Sequence, residues 1–304
     1  MTNSTVLVTG GAGFIGSHVV EELLDRGKDV AVLDNLFAGE REYVPSAATL
    51  HEVDIRDQDE VNTTVTSIDP DQIIHLAAIH YIPYCNKNPE DAFDVNVMGT
   101  RHLLNAARSL SDLERIVYTS SAAVYPSRDY PHEETDMPGP MDIYGRTKLV
   151  GEDLCELFAS ETGVPVASAR LFNVYGPRET NPHLIPAILD QIKDGSREVE
   201  LGNLTPKRDF VYVEDVATAL STLIDAHDDG HRVYNVGSNQ AWSVREVVDE
   251  VGSALGISLT IEQDEERVRE SDRPHLCAKI DRITEETKWN PRTEFVEGLR
   301  RLID

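Results

Sequence analysis

The stretch Tyr144-Gly145-Arg146-Thr147-Lys148 sets a phenol and an ammonium four residues apart, a spacing that shares one face of a helix. A free phenol, with a pKa of about 10, is a poor base near neutrality. A cation beside it favours the phenolate and moves that pKa toward the working range, which would make Tyr144 a proton acceptor. The same spacing also describes an ordinary contact on a helix surface. Thr119-Ser120-Ser121 closes a strand-like run. Ser121 could hydrogen-bond both the phenol and a substrate hydroxyl, or merely begin a turn. The third group is Gly10-Gly11-Ala12-Gly13-Phe14-Ile15-Gly16, which follows the apolar run Val6–Val8 and precedes a helix-like pattern. Glycine allows a tight turn and close approach of the backbone to phosphate oxygens, and the free N–H groups of a helix start hold negative charge. A dinucleotide pyrophosphate fits there, and Asp34, about 20 positions on, completes that context.

The elements that must carry these groups follow from periodicity. Strands are predicted at Thr5–Thr9, Asp29–Leu33, Thr49–Val53, Gln72–Leu76, Arg115–Thr119 and Pro165–Arg170. They are short and rich in β-branched residues, as strands buried on both faces should be. Helices are predicted between them, at Ile15–Arg26, Gln58–Ser67, Pro89–Leu110 and Tyr144–Thr162. This alternation implies an α/β fold, a Rossmann-type doubly wound parallel sheet with ligand at the carboxyl ends of its strands. After residue 172 the pattern breaks into segments rich in Pro, Gly and Asn. Helices are still predicted at Leu184–Lys193, Glu214–Ala226, Ser243–Leu255 and Ile280–Thr287, and a strand at Arg232–Val236. The expected division is a dinucleotide-binding domain over 1–172, to which 208–236 returns, and a smaller interleaved substrate lobe over 173–304.

The bulk composition narrows the partners. The chain has 304 residues and 40% hydrophobic content, enough for a large core. Its 54 acidic against 28 basic residues give a net charge of −26, which repels nucleic acid and anionic membranes. The acidity is spread along the chain, and adaptation to high salt is the expectation it raises. No apolar run approaches a membrane span of about 20 residues, and no secretory leader pattern opens the chain. Three scattered cysteines, Cys85, Cys155 and Cys277, read as free thiols in a reducing cytoplasm, without metal-ligand spacing.

A set of segments in fixed order resembles one family. They are Gly10–Gly16, Asp34-Asn35, Asp54, His75–Ala78, Asn96, Ser120–Tyr125, Tyr144–Lys148, Arg170–Pro177, Arg208–Ala217 and Tyr234–Gly237. Together they resemble the extended short-chain dehydrogenase/reductases, in the NAD-dependent epimerase/dehydratase group, over essentially the whole chain. The resemblance implies a catalytic set of Ser121, Tyr144 and Lys148, with Lys148 also holding the nicotinamide ribose. It implies NAD contacts at Gly10, Gly13, Phe14, Ile15, Gly16, Asp34, Asn35, Asp54, Ile55, Leu76, Ala77, Ala78 and Asn96. Asp34 would bind the adenosine ribose and repel a 2′-phosphate, favouring NAD over NADP. Asp54 could instead cap a helix.

Within the group, dehydratases and decarboxylases usually carry an acid just after the catalytic hydroxyl residue. Ala122 and Ala123 stand there. The chain thus resembles the epimerase branch, of the UDP-glucose 4-epimerase type, with a transient 4-keto sugar. The resemblance also implies nucleotide-sugar contacts at Arg208, Arg269, Asn173 and His80, with Arg178 as a further candidate, and a sugar-facing Leu276. Arg269-Glu270-Ser271-Asp272 departs from the family's Arg-Pro-Gly-Asp. A homodimer formed through the helices at Asn96–Leu110 and Tyr144–Thr162 is implied as well. A reductase, a uronate epimerase, a dTDP-sugar enzyme or a non-catalytic NAD sensor are the competing readings.

Overall fold

The structure, a computed structural model, describes residues 4–265 and 273–303. The apolar strand runs form one sheet: β1 (Thr5–Thr9), β2 (Asp29–Asp34), β3 (Thr49–Glu52), β4 (Gln72–His75), β5 (Arg115–Ser121), β6 (Val166–Leu171) and β10 (His231–Val236). All neighbours are parallel, in the order β10-β6-β5-β4-β1-β2-β3. This is the Rossmann strand order with a seventh strand added, and the order reverses between β1 and β4.

Successive strand residues point to opposite faces, and each face has its own core. Val6, Val8, Val32 and Val117 pack with α1 (Phe14–Asp25), α8 (Val213–Ala226) and α10 (Asp281–Thr287). Leu7, Leu33, Ile73 and Ile116 pack with α2 (Gln58–Ile68), α5 (Thr100–Ala107) and α6 (Ile143–Thr162). Each such buried aliphatic side chain contributes roughly 1.5–3 kcal/mol relative to exposure. Leu103 and Leu104 are spent in this second core, whereas Leu157 on α6 is exposed.

The chain from residue 172 onward builds a third core. It holds α7 (Leu184–Ile192), α9 (Val244–Leu255), α11 (Phe295–Ile303) and a sheet of β11 (Ala241–Ser243), β9 (Lys207–Tyr212) and β13 (His275–Leu276), with β7 (Asn173–Tyr175) also on β9. A pair of β12 (Thr260–Gln263) and β8 (Glu198–Leu201) completes it. Between these units the chain re-enters the large domain three times, as α8, β10 and α10.

Three expectations need correction. The helix expected over Pro89–Leu110 is α4 (Pro89–Phe93), a wide π turn at Asp94–Gly99, then α5. The preceding loop contains a short helix, α3 (Ile82–Lys87). The terminal helix α11 has the pattern Phe295, Leu299, Leu302, Ile303, a helical stripe that the sequence reading passed over. Among the described residues, no helix is long and apolar enough to cross a membrane. All three cysteines are free and buried.

Candidate active site

One cavity of about 980 Å³ runs from the ends of β1 and β2 to the small sheet. At its first end, β1 stops at Gly10, whose φ of 72° lies in the left-handed region. A Cβ there would stand 2.7 Å from the Ala77 nitrogen, so glycine lets the turn lie against the segment after β4. The helix α1 starts after Gly13 with no side-chain cap, leaving the N–H groups of its first turn available. Gly10, Gly13, Phe14, Ile15 and Gly16 all line the cavity. That uncapped helix start fits a pyrophosphate.

Asp34 ends β2 on the cavity wall, with Oδ2 accepting from Ala12 N–H at 3.0 Å and Oδ1 from Leu36 N–H at 2.8 Å. Burial pushes its carboxyl up, and those two N–H groups oppose the shift. Each oxygen keeps a lone pair for a ribose hydroxyl. Asn35, Ile55, Leu76, Ala77 and Ala78 also line the cavity. Asp54 does not. Its carboxylate takes Arg56 Nε at 2.9 Å and Asn35 Nδ2 at 3.1 Å, and the Arg56 guanidinium holds it well below the usual carboxylate range. The helix-cap alternative for Asp54 fails, because Asp57 caps α2 by accepting from Asp59 and Glu60. Asn96 also lies behind the wall. Its amide clamps Ile79 N–H and C=O, at 2.8 and 2.9 Å, and donates to Thr147 Oγ1 at 3.0 Å.

The midpoint of the cavity brings β5 against α6. Asp142 caps α6 by accepting from Gly145 N–H at 2.7 Å, which fixes where Tyr144 and Lys148 emerge. Gly145 permits the approach of the helix, since a Cβ there would fall 2.3 Å from the Ala123 carbonyl oxygen. Ser121, Tyr144 and Lys148 all line the cavity. The Ser121 Oγ accepts from Ala123 N–H at 3.1 Å, so its proton is free to be donated. The Lys148 ammonium donates to the Thr119 carbonyl at 2.8 Å and stands 6.0 Å from the Tyr144 ring centroid.

The expected tuning of the phenol is not what this arrangement does. Burial pushes Tyr144 well above its usual value, with a hydrogen bond from Ser121 opposing. Burial also lowers the Lys148 ammonium to about 8. Desolvation outweighs mutual attraction because Lys148 bonds a neutral carbonyl and not the phenol.

At the far end, Asn173 Nδ2 donates to the Asp209 carbonyl at 2.9 Å, and Arg208 Nη1 donates to the Arg273 carbonyl at 2.7 Å. Asn173, Arg208 and Leu276 line the cavity. His80 lines it too, 3.0 Å from Asn181 Nδ2, and burial lowers it to about 4. Arg178 is turned away, bonded to Ser17 and Glu21. Arg269 lies outside the described residues.

The NAD dependent epimerase/dehydratase family profile matches residues 6–237. The chain belongs to that family. The UDP-glucose 4-epimerase of Corynebacterium glutamicum is 32% identical over 303 residues, which span 94% of this chain and 90% of that protein. The UDP-glucose 4-epimerase of Thermus thermophilus, solved in complex with NAD, superposes with a TM-score of 0.90 at 33% identity, over 99% of this chain and 98% of that one. The Thermotoga maritima UDP-glucose 4-epimerase, solved with UDP-glucose, gives 0.91 at 28% identity, over 98% and 97% of the two chains.

In this member of the epimerase/dehydratase family, the cavity also holds residues that the sequence reading missed. Glu179 and His183 pair at 2.5 Å beside His80, in the loop ahead of α7, where no helical spacing marks them. Arg273 carried no local signal. It reaches the cavity only through the packing of β13 beside β9.

Proposed function

We propose that the chain is a nucleotide-sugar 4-epimerase of the UDP-glucose/UDP-galactose type, with NAD as a resident cofactor. The observation that carries this reading is one cavity shared by the uncapped start of α1, the Ser121 hydroxyl and the Tyr144 phenol, with methyl groups at Ala122 and Ala123. Elimination of water needs an acid/base group near the leaving hydroxyl, and alanine supplies none. NAD, when bound, would supply an acceptor for hydride from C4 that returns it within each cycle. The Tyr144 oxygen accepts the proton of the sugar 4-hydroxyl, with Ser121 donating to the sugar oxygen. Lys148, whose ammonium lies 6.0 Å from the Tyr144 ring centroid, would hold the nicotinamide ribose. The 4-keto sugar turns over while Arg208 and Asn173 keep the diphosphate anchored, and Tyr144 returns the proton on the other face. Asp34 and the first turn of α1 would hold the adenosine ribose and the pyrophosphate of NAD. Self-association through α5 and α6, with Leu157 exposed there, and a salt-adapted acidic surface belong to the same proposal.

Incubation with UDP-glucose, UDP-galactose, their N-acetylated forms, UDP-glucuronate and dTDP-glucose, without net nicotinamide turnover, tests it. The expected result is interconversion of UDP-glucose and UDP-galactose. Stoichiometric nicotinamide oxidation would make the protein a reductase, and turnover confined to the uronate or to dTDP-sugars would replace the substrate.

A further inference from the structure

Arg273 joins three parts of the site that sequence distance keeps apart. The residue is about nine-tenths buried and lines the cavity. Its Nη2 donates to the Ala123 carbonyl at 3.1 Å and lies 3.5 Å from Asp142 Oδ2. Ala123 is the residue whose N–H holds the Ser121 hydroxyl. Asp142 is the cap that sets the start of α6, two residues before Tyr144. The carbonyl of Arg273 in turn accepts from Arg208. The Ala123 carbonyl is therefore held between the first turn of α6, at Gly145, and the Arg273 guanidinium.

We propose that Arg273 is a positioning residue that couples seating of the nucleotide diphosphate at Arg208 to the alignment of Ser121 and Tyr144. This rests on the reading of Arg208 as the anchor and Tyr144 as the base. Stability alone does not account for the residue. Among the described residues its Nε is buried with no hydrogen-bond partner, a costly state that an apolar side chain would avoid. Both contacts leave one nitrogen, Nη2, which therefore bridges the Ala123 carbonyl and the Asp142 carboxylate. Loss of that bridge lets the Ser121 turn and the start of α6 move apart, and small misplacements of reacting groups cost rate steeply.

The test separates alignment from anchoring. In Arg273→Met, kcat for the epimerised sugar should fall about tenfold to a hundredfold. The affinity for UDP alone, measured by calorimetry on the NAD-loaded protein, should stay near the wild-type value. Millimolar guanidinium chloride should restore part of the lost rate in Arg273→Ala, where sodium chloride at equal ionic strength does not. A kcat unchanged in Arg273→Met overturns the proposal, as does a loss of UDP affinity that accounts for the whole decline. Should the Met variant not fold, Arg273→Lys carries the test, with the same split expected and a wild-type kcat refuting it. If the wild-type protein epimerises no nucleotide sugar, the functional reading fails first, and that result is distinct from any of these.

Discussion

Glu152 and Arg170 form a buried, bidentate ion pair beneath the proposed catalytic groups, and its removal gives a sharp prediction. Arg170 on β6 donates through Nε to Glu152 Oε1 at 2.9 Å and through Nη2 to Oε2 at 2.7 Å. The two side chains are 4% and 5% exposed, so water cannot replace either partner. Ser120, next to Ser121, donates to the same carboxylate at 2.5 Å. The guanidinium lies 4.7 Å over the Tyr125 ring. Glu152→Gln preserves shape but leaves a buried cation without its counter-charge, and such a break costs about 3–5 kcal/mol. Against a total stability of about 5–15 kcal/mol, that is a large fraction. Equilibrium urea unfolding of the NAD-free protein should show it as a lower midpoint with an unchanged slope. Replacing both partners, Glu152→Leu with Arg170→Met, removes the stranded charge and should cost less than the two single changes added together. A single variant within about 1 kcal/mol of wild type, or a strictly additive pair, would show that the network does not bear on stability as argued.

Tyr144→Phe removes the proposed base and one hydrogen bond from Ser121. Turnover should fall about 100- to 10,000-fold while bound NAD, assayed after denaturation, is retained; an active Phe variant would end the assignment. Lys148 has a pKa near 8 in the fold against 10.5 when free, so burying its charge costs about 3 kcal/mol below pH 8. Because this base is depressed by folding, the cost is present in full at pH 7 and fades as pH rises from 8 toward 10.5. Lys148→Met should therefore stabilise the NAD-free protein at pH 7, by less than that amount since the Thr119 hydrogen bond is lost, and the gain should shrink by pH 9.5. A destabilised Met variant, or a gain that grows with pH, would contradict the burial argument.

The large sheet was legible because most of its strands are short apolar runs flanked by turn signals, and all six predicted strands of the first half match within two residues. The small sheet was not, because β7, β11 and β13 have two or three residues each, too few to show a period of two. The π turn at Asp94–Gly99 was hidden for a different reason. Its apolar spacing passes for an α-helix, and within the turn Asn96 bonds both the N–H and the C=O of Ile79. Among site residues, Tyr144, Lys148 and Ser121 sit where helix and strand spacing put them. Their charge state did not follow from spacing, because it depends on burial, and the ammonium has a carbonyl to bond in place of the phenol.

The charge imbalance bears on substrate binding in a way that salt can separate. With 54 acidic and 28 basic residues, 26 carboxylates would lack a partner even if every cation took one. Many arginines are already tied to single acids, such as Arg128 to Asp136 at 2.6 Å and Arg108 to Glu161 at 2.5 Å. A diphosphate approaching Arg208 therefore meets a negative background from carboxylates well beyond contact distance. That background acts over a Debye length of about 10 Å at 0.1 M salt and about 3 Å at 1 M. Contacts between an arginine and a phosphate oxygen are shorter than either length and outlast the screening better. Raising salt from 0.1 to 1 M should thus lower KM for the nucleotide sugar, the opposite of what a site governed by local cations alone would show. A KM that climbs steadily over that range would mean that the background does not reach the cavity, and that the acidity serves some need other than the one argued from charge.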